Sequence, residues 1–588
     1  MAESIISPGV LARENDISFI QPAPVQAGAA FIGPTVKGPD NQPTIVTSYN
    51  DYVRKFGETF TSGSSNYEFL TSLAVKNYFS QGGNTALVTR VVSGSYTVAA
   101  NTHISASAKA STQPFTLATL GKGEMYNNAA ALTSALTGGA SYINSDGSLV
   151  SGSADNIRWE IQNVNNAQGT FTLLVRQGDD NTNNPIVLET FNNVSLDPNS
   201  PNYIEAVIGN QYTTVGTDGS TSYIYKQGTY PNRSNYIRVS GVNLTTPNYL
   251  STDGVTVNTD SGNTSYSASL PVAKSGSFYN ATGAVKPGAT YFANIVNGST
   301  DIQGTVAANY STAISLLSNQ DEYVFNIISA PGMIHSNTIG QSVNNSIISL
   351  AESRGDCIAV VDLVPTGSII TDVTTQAAAI NSSYAATYWP WVQVQSATGK
   401  NQYVPAGVVI PGVYAFTDNA SAPWFAPAGL VRGGLAGVIQ TERKLTKGDR
   451  DTLYLGKVNP IATFPGTGIS VFGQKTLQTK ASALDRVNVR RLLIELKKFI
   501  GNQARNLVFE QNTIATRNRF LATVNPYLES VVQRQGLYAY RVVMDDTNNT
   551  ADVVDRNQLV GQIFIQPTKT IEFVVLDFTV EPTGATFA

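Results

Sequence analysis

Two hydrophobic rhythms alternate along the chain. Residues 26–95 and 308–568 carry apolar runs of strand length between stretches of helical spacing, while 96–307 carry short alternating runs cut by Asn, Gly, Ser and Asp. In the first zone "AAFIGPTV" reads as a strand ending in a Gly-Pro turn. Ser65 and Glu68 have capping-box spacing within "NYEFLTSLAVKNYFS" and its approach, and Tyr67, Leu70, Ala74 and Tyr78 recur at helical intervals. Gly82 and Gly83 stop that helix, and "TALVTRVV" follows as a β-branched strand. After residue 308 the order is helix, strand, helix, strand, helix, strand, through "YSTAISLLSN", "EYVFNIISAPG", "SVNNSIISLAES", "CIAVVDLV", "DVTTQAAAINSS" and "AATYWPWVQV". That is the order of a parallel sheet. A single α/β core split by a large insertion is expected.

The inserted region has the texture of a β-sandwich or barrel, with one helix at "PNYIEAVIG" and a seam near residue 245. Towards the C-terminus, Val489, Leu492, Leu493, Leu496, Phe499, Ile500 and Leu507 form one stripe, and a second helix is predicted over 513–534. Strands are predicted near "YAYRVVMD", "GQIFIQP" and "KTIEFVVLDFTV". The reading is a multidomain fold mixing α/β and α+β parts. It has an arm at 1–25, a discontinuous core at 26–95 and 308–568, β-rich insertions at 96–245 and 246–307, and a terminal strand at 569–588.

Composition narrows the function classes. Of 588 residues 42% are hydrophobic and only 13% charged, against about 25% charged in an ordinary globular chain. Such a surface suits cover by further copies of the chain. The net charge of −4 supplies no field that would draw in nucleic acid. Cys357 stands alone, so no intrachain disulfide forms, and it reads as a buried core thiol. "MAESIISPGV" lacks a secretory pattern and no apolar run is long enough for a membrane span, so folding in a cytoplasm is expected.

Chemistry is sparse. His103 and His335 lie in different zones without a second ligand at metal spacing, and neither a phosphate loop nor a Gly-x-Ser-x-Gly elbow occurs. "GKGEMYNN" at 121–128 reads as a β turn, and Arg354-Gly355-Asp356 reads as a helix stop. No catalytic residue, cofactor, metal or small-molecule ligand is expected. Residues 480–520 reverse the local charge, with nine Lys or Arg against three acids. Arg490, Arg491, Lys497 and Lys498 are either a solvated face or a docking surface for an acidic partner. "TIEFVVLDFTV" is apolar on both faces around Phe573, and such a terminal strand pairs within the chain or with another copy.

These segments resemble the tail sheath proteins of contractile-tailed bacteriophages, the myovirus tail sheath family. The likeness runs through "SPGV", "FIGPTVKGPDNQPTIVTSYNDYVRKFG" and "YFSQGGNTALVTRVV", and through "LETFNNVSLDPNSPNYIEAVIGN" in the insertion. It is densest in "VYAFTDNASAPWFAPAGLVRGGLAGV", "LTKGDRDTLYLGKVNPIATFPGTGISVFGQKTL", "SALDRVNVRRLLIELKKFI", "LVFEQNTIATRNRF" and "NNTADVVDRNQLVGQIFIQPTKTIEFVVLDF". Phe416 stands where the family usually has Arg, and Ala422 where it often has Gly.

The resemblance implies a subunit of stacked hexameric rings around a tail tube, contracting from a metastable extended state. It implies partners in further copies, the tail tube, the baseplate and the tail terminator. It also implies a place in the virion tail after assembly in the host bacterial cytoplasm. Strand exchange between subunits is expected at Ile5, Ile6, Pro8, Gly9 and Val10 and at Ile571, Phe573, Val574, Val575 and Leu576. Arg490, Arg491, Lys497 and Lys498 are expected to face the tube. Thr417, Asp418, Asn419, Pro423, Trp424, Pro427 and Gly429 are expected to form a rigid core loop. The alternative is the sheath of a phage-derived contractile particle, a bacteriocin or secretion device.

Overall fold

In the computed structural model, residues 26–62, 65–100, 104–108, 112–126, 143–150, 152–219, 221–260, 262–283 and 300–572 are described. The arm at 1–25, His103 and residues 573–588 lie outside them. A six-stranded sheet organises the core. Gln26–Gly33 pairs in parallel with Ala86–Arg90 on one side and with Val324–Ile334 on the other. Ile358–Asp362 and Ala385–Ala386 extend the parallel run, and Thr44–Val46 closes the far edge antiparallel. The N-terminal zone thus contributes strands to a sheet that resumes only after the insertion.

Every residue of Ala86–Arg90 and Ile358–Asp362 is buried, which is why both read as unbroken apolar runs. Ala29 and Phe31 point to one face, against the Leu70–Ser80 and Ile410–Ala420 helices. Ala30 and Ile32 point to the other, against Ala307–Leu316, Thr338–Arg354 and Ile370–Ala378. Each large apolar side chain buried here contributes about 1.5–3 kcal/mol.

Two local expectations are corrected and a third holds. Ser65–Glu68 is not a helix cap but a strand paired with Thr59–Ser62, and the helix begins at Leu70 without a side-chain cap. The Glu68 carboxylate instead accepts from the Ser72 hydroxyl at 3.0 Å and from Ala397 N–H at 2.7 Å. Residues 385–395 form three short strands rather than one, broken at Pro390, which has no N–H to give a ladder. The tripeptide at 354–356 does stop a helix: Gly355 takes φ 68°, and buried Arg354 binds Asp356 at 2.8 Å.

The insertion is a sandwich of a four-stranded sheet on a three-stranded one. Val187–Ser195, Thr170–Gln177, Ile157–Asn165 and Lys274–Ser277 form the first. Ile237–Val242, Phe115–Lys122 and Val98–Ala100 form the second. Phe115, Trp159, Phe171, Ile237 and Phe278 share the core between them. The expected division at 245/246 is therefore corrected. Lys274–Ser277 completes the sheet begun by Ile157–Asn165, so 246–283 is not a separate unit.

Candidate assembly surface

The C-terminal part is built on two helices, Val487–Arg505 and Ile514–Gln533. Leu492 and Leu496 of the first pack against Phe520, Val524, Leu528 and Val531 of the second, and Phe499 stacks on Tyr527. Val489 is buried too, Leu493 is half-buried, and Ile500 and Leu507 pack at the edge of this cluster. The antiparallel hairpin Leu537–Val543 with Gln562–Pro567 lies on this pair. Tyr540, Val542, Ile563 and Ile565 face the helices, while Tyr538 and Phe564 stay exposed. Among the described residues the hairpin's strands pair only with each other, so both outer edges offer unused backbone donors and acceptors.

The basic stripe faces inward, which corrects the expected docking face at Arg490 and Arg491. Arg490 is 4% exposed, with its guanidinium 4.0 Å from the centre of the Tyr384 ring. Arg491, 3% exposed, donates to both Asp418 oxygens at 2.6 and 2.5 Å. Lys498 Nζ is half-buried and donates to the Phe325 carbonyl at 2.9 Å and to Asn326. Lys497 alone of the four is exposed, 3.3 Å from the Tyr384 hydroxyl. The helix has two buried faces. The leucine stripe meets the second helix, while Ile494 and these cations meet the core sheet and its helices.

The segment expected as a rigid loop is helical in its first half. Thr417, Asp418 and Asn419 sit on the last turns of Ile410–Ala420, and only 421–428 is loop before the short helix Gly429–Arg432. Pro411 at the helix start and the buried face of Val413, Tyr414 and Thr417 carry the helix through the polar Thr-Asp-Asn run. The segment ties three parts together. Thr417 bonds back to the Val413 carbonyl at 3.0 Å, Asn419 reaches the Gly82 carbonyl, and Asp418 holds Arg491. Trp424 donates to the Arg534 carbonyl at 3.0 Å, at the end of the second C-terminal helix. Pro427 is buried, Pro423 half-buried, and Gly429 turns the chain with φ 84°. Burial pushes the Asp418 carboxyl up, against the pull of Arg491.

A groove of about 1060 Å³ runs between this segment and the hairpin, flanked by Phe425, Tyr454, Phe472, Tyr538 and Ile571. Ile571 is 84% exposed. Beside it lies a residue that sequence reading missed. Glu572 takes Arg486 in a fork, Nε to Oε1 at 2.7 Å and Nη2 to Oε2 at 2.9 Å, and also accepts from Tyr454 and Gln474. Burial opposes its charge, but the Arg486 hydrogen bonds outweigh that and hold the carboxyl below the usual range. Glu572 thus ties the last described residues to the start of the Val487–Arg505 helix. A lone Glu in an apolar run next to a distant Arg was the available signal, but their separation of 86 positions hid the pairing.

His335 is buried with Nδ1 unpartnered and its basicity lowered by burial, and the Cys357 thiol is pushed up to about 12 by burial. Among the described residues no group of three or more His, Cys, Asp or Glu could hold a metal ion. The Leu537–Val543 strand, the aromatic side chains and Glu572 border this one groove. Residues 296–477 match the family described as phage tail sheath protein central domain, and residues 479–581 match the phage tail sheath C-terminal domain. These residues carry both domains of the phage tail sheath family.

Related proteins agree. The chain is 39% identical over 217 residues to the tail sheath protein of Vibrio phage KVP40, a match covering 37% of this chain and 31% of that protein. It is 35% identical over 264 residues to the tail sheath protein of Enterobacteria phage T4, covering 42% and 40%. The matched segments span well under two thirds of either relative. The crystal structure of the sheath tail protein from Listeria innocua superposes with a TM-score of 0.50 at 10% identity, covering 92% of this chain and 96% of that one, a likeness of fold.

Proposed function

We propose that the chain is the subunit of a contractile tail sheath, polymerising as stacked hexameric rings around a tail tube. In this reading it shortens from a metastable extended state to drive the tube through a host envelope. The observation that carries the reading is the open-edged hairpin beside the Glu572 anchor. A strand edge accepts an extended segment from another chain through main-chain hydrogen bonds. A donor segment leaving one subunit and an acceptor edge at a different place make a heterologous contact, which builds a helical tube rather than a closed dimer. Ile5, Ile6, Pro8, Gly9 and Val10 and Phe573, Val574, Val575 and Leu576 are the proposed donors, with Ile571 leading into the second set.

Such arms keep subunits tethered while other interfaces re-form, and contraction draws its work from the larger interfaces that the copies then share. The tail tube, baseplate and terminator are the proposed partners in the virion tail. Electron micrographs of the purified chain test the reading. The full chain is expected to form tubes, and a variant lacking residues 1–20 to stay a folded monomer. Normal tubes from that variant would remove the arm exchange. A full chain that never forms tubes, alone or with its tube protein, would remove the sheath.

A further inference from the structure

The aromatic groove of about 1060 Å³ beside the hairpin also carries four cations, Arg432, Lys447, Arg450 and Lys569. Arg432 lies 5.0 Å from the centre of the Phe425 ring, and Arg450 lies 5.2 Å from that of Phe464 and 5.7 Å from that of Phe472. Among the described residues none of the four has a carboxylate within ion-pair distance. The two acids on the groove do not meet them: Asp451 is exposed, and Glu572 is taken by Arg486. Exposed Phe472, Tyr538 and Ile571 leave apolar surface uncovered beside these charges. Such a groove fits an extended segment that is both apolar and acidic.

The chain itself supplies one. After the hairpin, Thr568 N–H donates to the Gly536 carbonyl at 3.2 Å, and Gln474 on the core side then donates to Thr570 and Glu572, so residues 568–572 cross the groove. Residues 573–588 continue from that point. They contain Asp577 and Glu581 and no Lys, Arg or His. Read as a strand, Leu576, Phe578 and Val580 share one face, and Asp577, Thr579 and Glu581 the other. The first face matches the aromatic side chains and the second the cations. A segment tethered this closely meets its site at about millimolar effective concentration, far above that of a second copy in dilute solution.

We propose that in the unassembled chain residues 573–588 dock in their own groove, with Leu576, Phe578 and Val580 on the aromatic side chains and Asp577 and Glu581 toward the four cations. The docked tail is an internal brake. Phe573, Val574, Val575 and Leu576 pair with another copy only after the tail has left the groove. The brake rests on the arm exchange proposed above, whereas the docking does not.

Cysteine cross-linking of the full chain in dilute solution tests this. Cys357 is buried, so the introduced thiols react in its place. Tyr538→Cys lies at an exposed position on the groove, and Val575→Cys lies in the tail. With a short bismaleimide the double variant should give an intrachain product of monomer mass, and a mixture of the two single variants should give no dimer. Adding Asp577→Asn and Glu581→Gln to the double variant should cut the intrachain product several-fold, and raised salt should do the same without them. Absence of the intrachain product overturns the docking. So do dimers from the mixture as abundant as that product, which would make a second copy the occupant. A product indifferent to both the acid substitutions and salt also overturns it, because a loose tether alone would give that result. Asp577→Asn with Glu581→Gln, outside the donor residues, should also speed tube growth followed by light scattering. Unchanged growth alongside a weakened cross-link removes the brake.

Discussion

Asp362 is fully buried at the end of its core strand, and one oxygen accepts Gly407 N–H at 2.8 Å. A Cβ on Gly407 would stand 2.5 Å from the other oxygen, so only glycine lets the backbone come this close. Burial pushes the carboxyl up to about 7. The folded value lies above the unfolded value of about 3.9, so the native state holds the proton more tightly and stability falls as pH rises between them. That window corresponds to at most about 4 kcal/mol. Asp362→Asn should flatten the slope, raising stability by about 1.5 kcal/mol at pH 5 and by up to about 4 kcal/mol at pH 8. Urea denaturation at the two pH values checks this, and an unchanged slope would assign the titration elsewhere.

The Asp418–Arg491 pair makes the opposite point about a buried charge. Arg491 is 3% exposed at its side chain and Asp418 24%. Removing the cation leaves the carboxylate uncompensated, so Arg491→Met should cost about 3 kcal/mol, the low end for a buried pair because Asp418 keeps some water. Adding Asp418→Asn should recover a measurable part of that loss in a double-mutant cycle. At this scale the sequence was misleading. Nine cations between residues 480 and 520 looked like a surface, but three of them, Arg491, Arg490 and Lys498, reach Asp418, Ser383 and the Phe325 carbonyl, all far away in the chain. Burial of a charge depends on a partner that spacing along one helix does not reveal.

Elements were far more legible than their partners. The strand, helix and strand order of the core, both C-terminal helices and the single helical turn at Ile204–Ile208 follow from apolar period and from Gly and Pro punctuation. The failures were of context. Ser65–Glu68 has capping-box chemistry yet pairs as a strand, and Tyr414–Ala420 has loop composition yet is held helical by its buried face. The seam at 245 vanished because Lys274–Ser277 pairs with Ile157–Asn165, more than a hundred residues earlier.

That pairing carries a prediction. Gly276 lies against Trp159, and a Cβ there would approach the indole to 2.4 Å. Gly276→Val should force the tryptophan from its place and destabilise the insertion by about 1–3 kcal/mol, the usual penalty for overpacking. Trp fluorescence and limited proteolysis within 98–283 report it. Equal protection of parent and variant would mean that this strand is peripheral after all.

At the scale of the whole molecule, core and insertion meet through polar contacts and keep separate apolar interiors. Lys37 binds Asp155 at 3.0 Å, Lys122 binds Asp40 at 2.9 Å, and Arg90 donates to the Lys122 carbonyl at 2.9 Å. The insertion's interior centres on Trp159 and Phe171, and the core's two faces on Phe31 and Ile32. The chain departs and returns at neighbouring points, since Ser93, Tyr96 and Gln303–Thr305 border one small cavity. Gln303 belongs with the core, because it accepts Leu70 N–H at 3.1 Å and donates to the Pro331 carbonyl at 2.9 Å. Exchanging residues 97–300 for a short Gly-Ser linker should therefore leave a core that unfolds cooperatively. Closing a short loop across adjacent ends carries little entropic penalty, and the sheet retains all its strands. Calorimetry distinguishes the cases. A single sharp transition expected for the excised chain would establish the core as an independent folding unit, and its replacement by a broad, non-cooperative melt would show that the polar seam holds the sheet together.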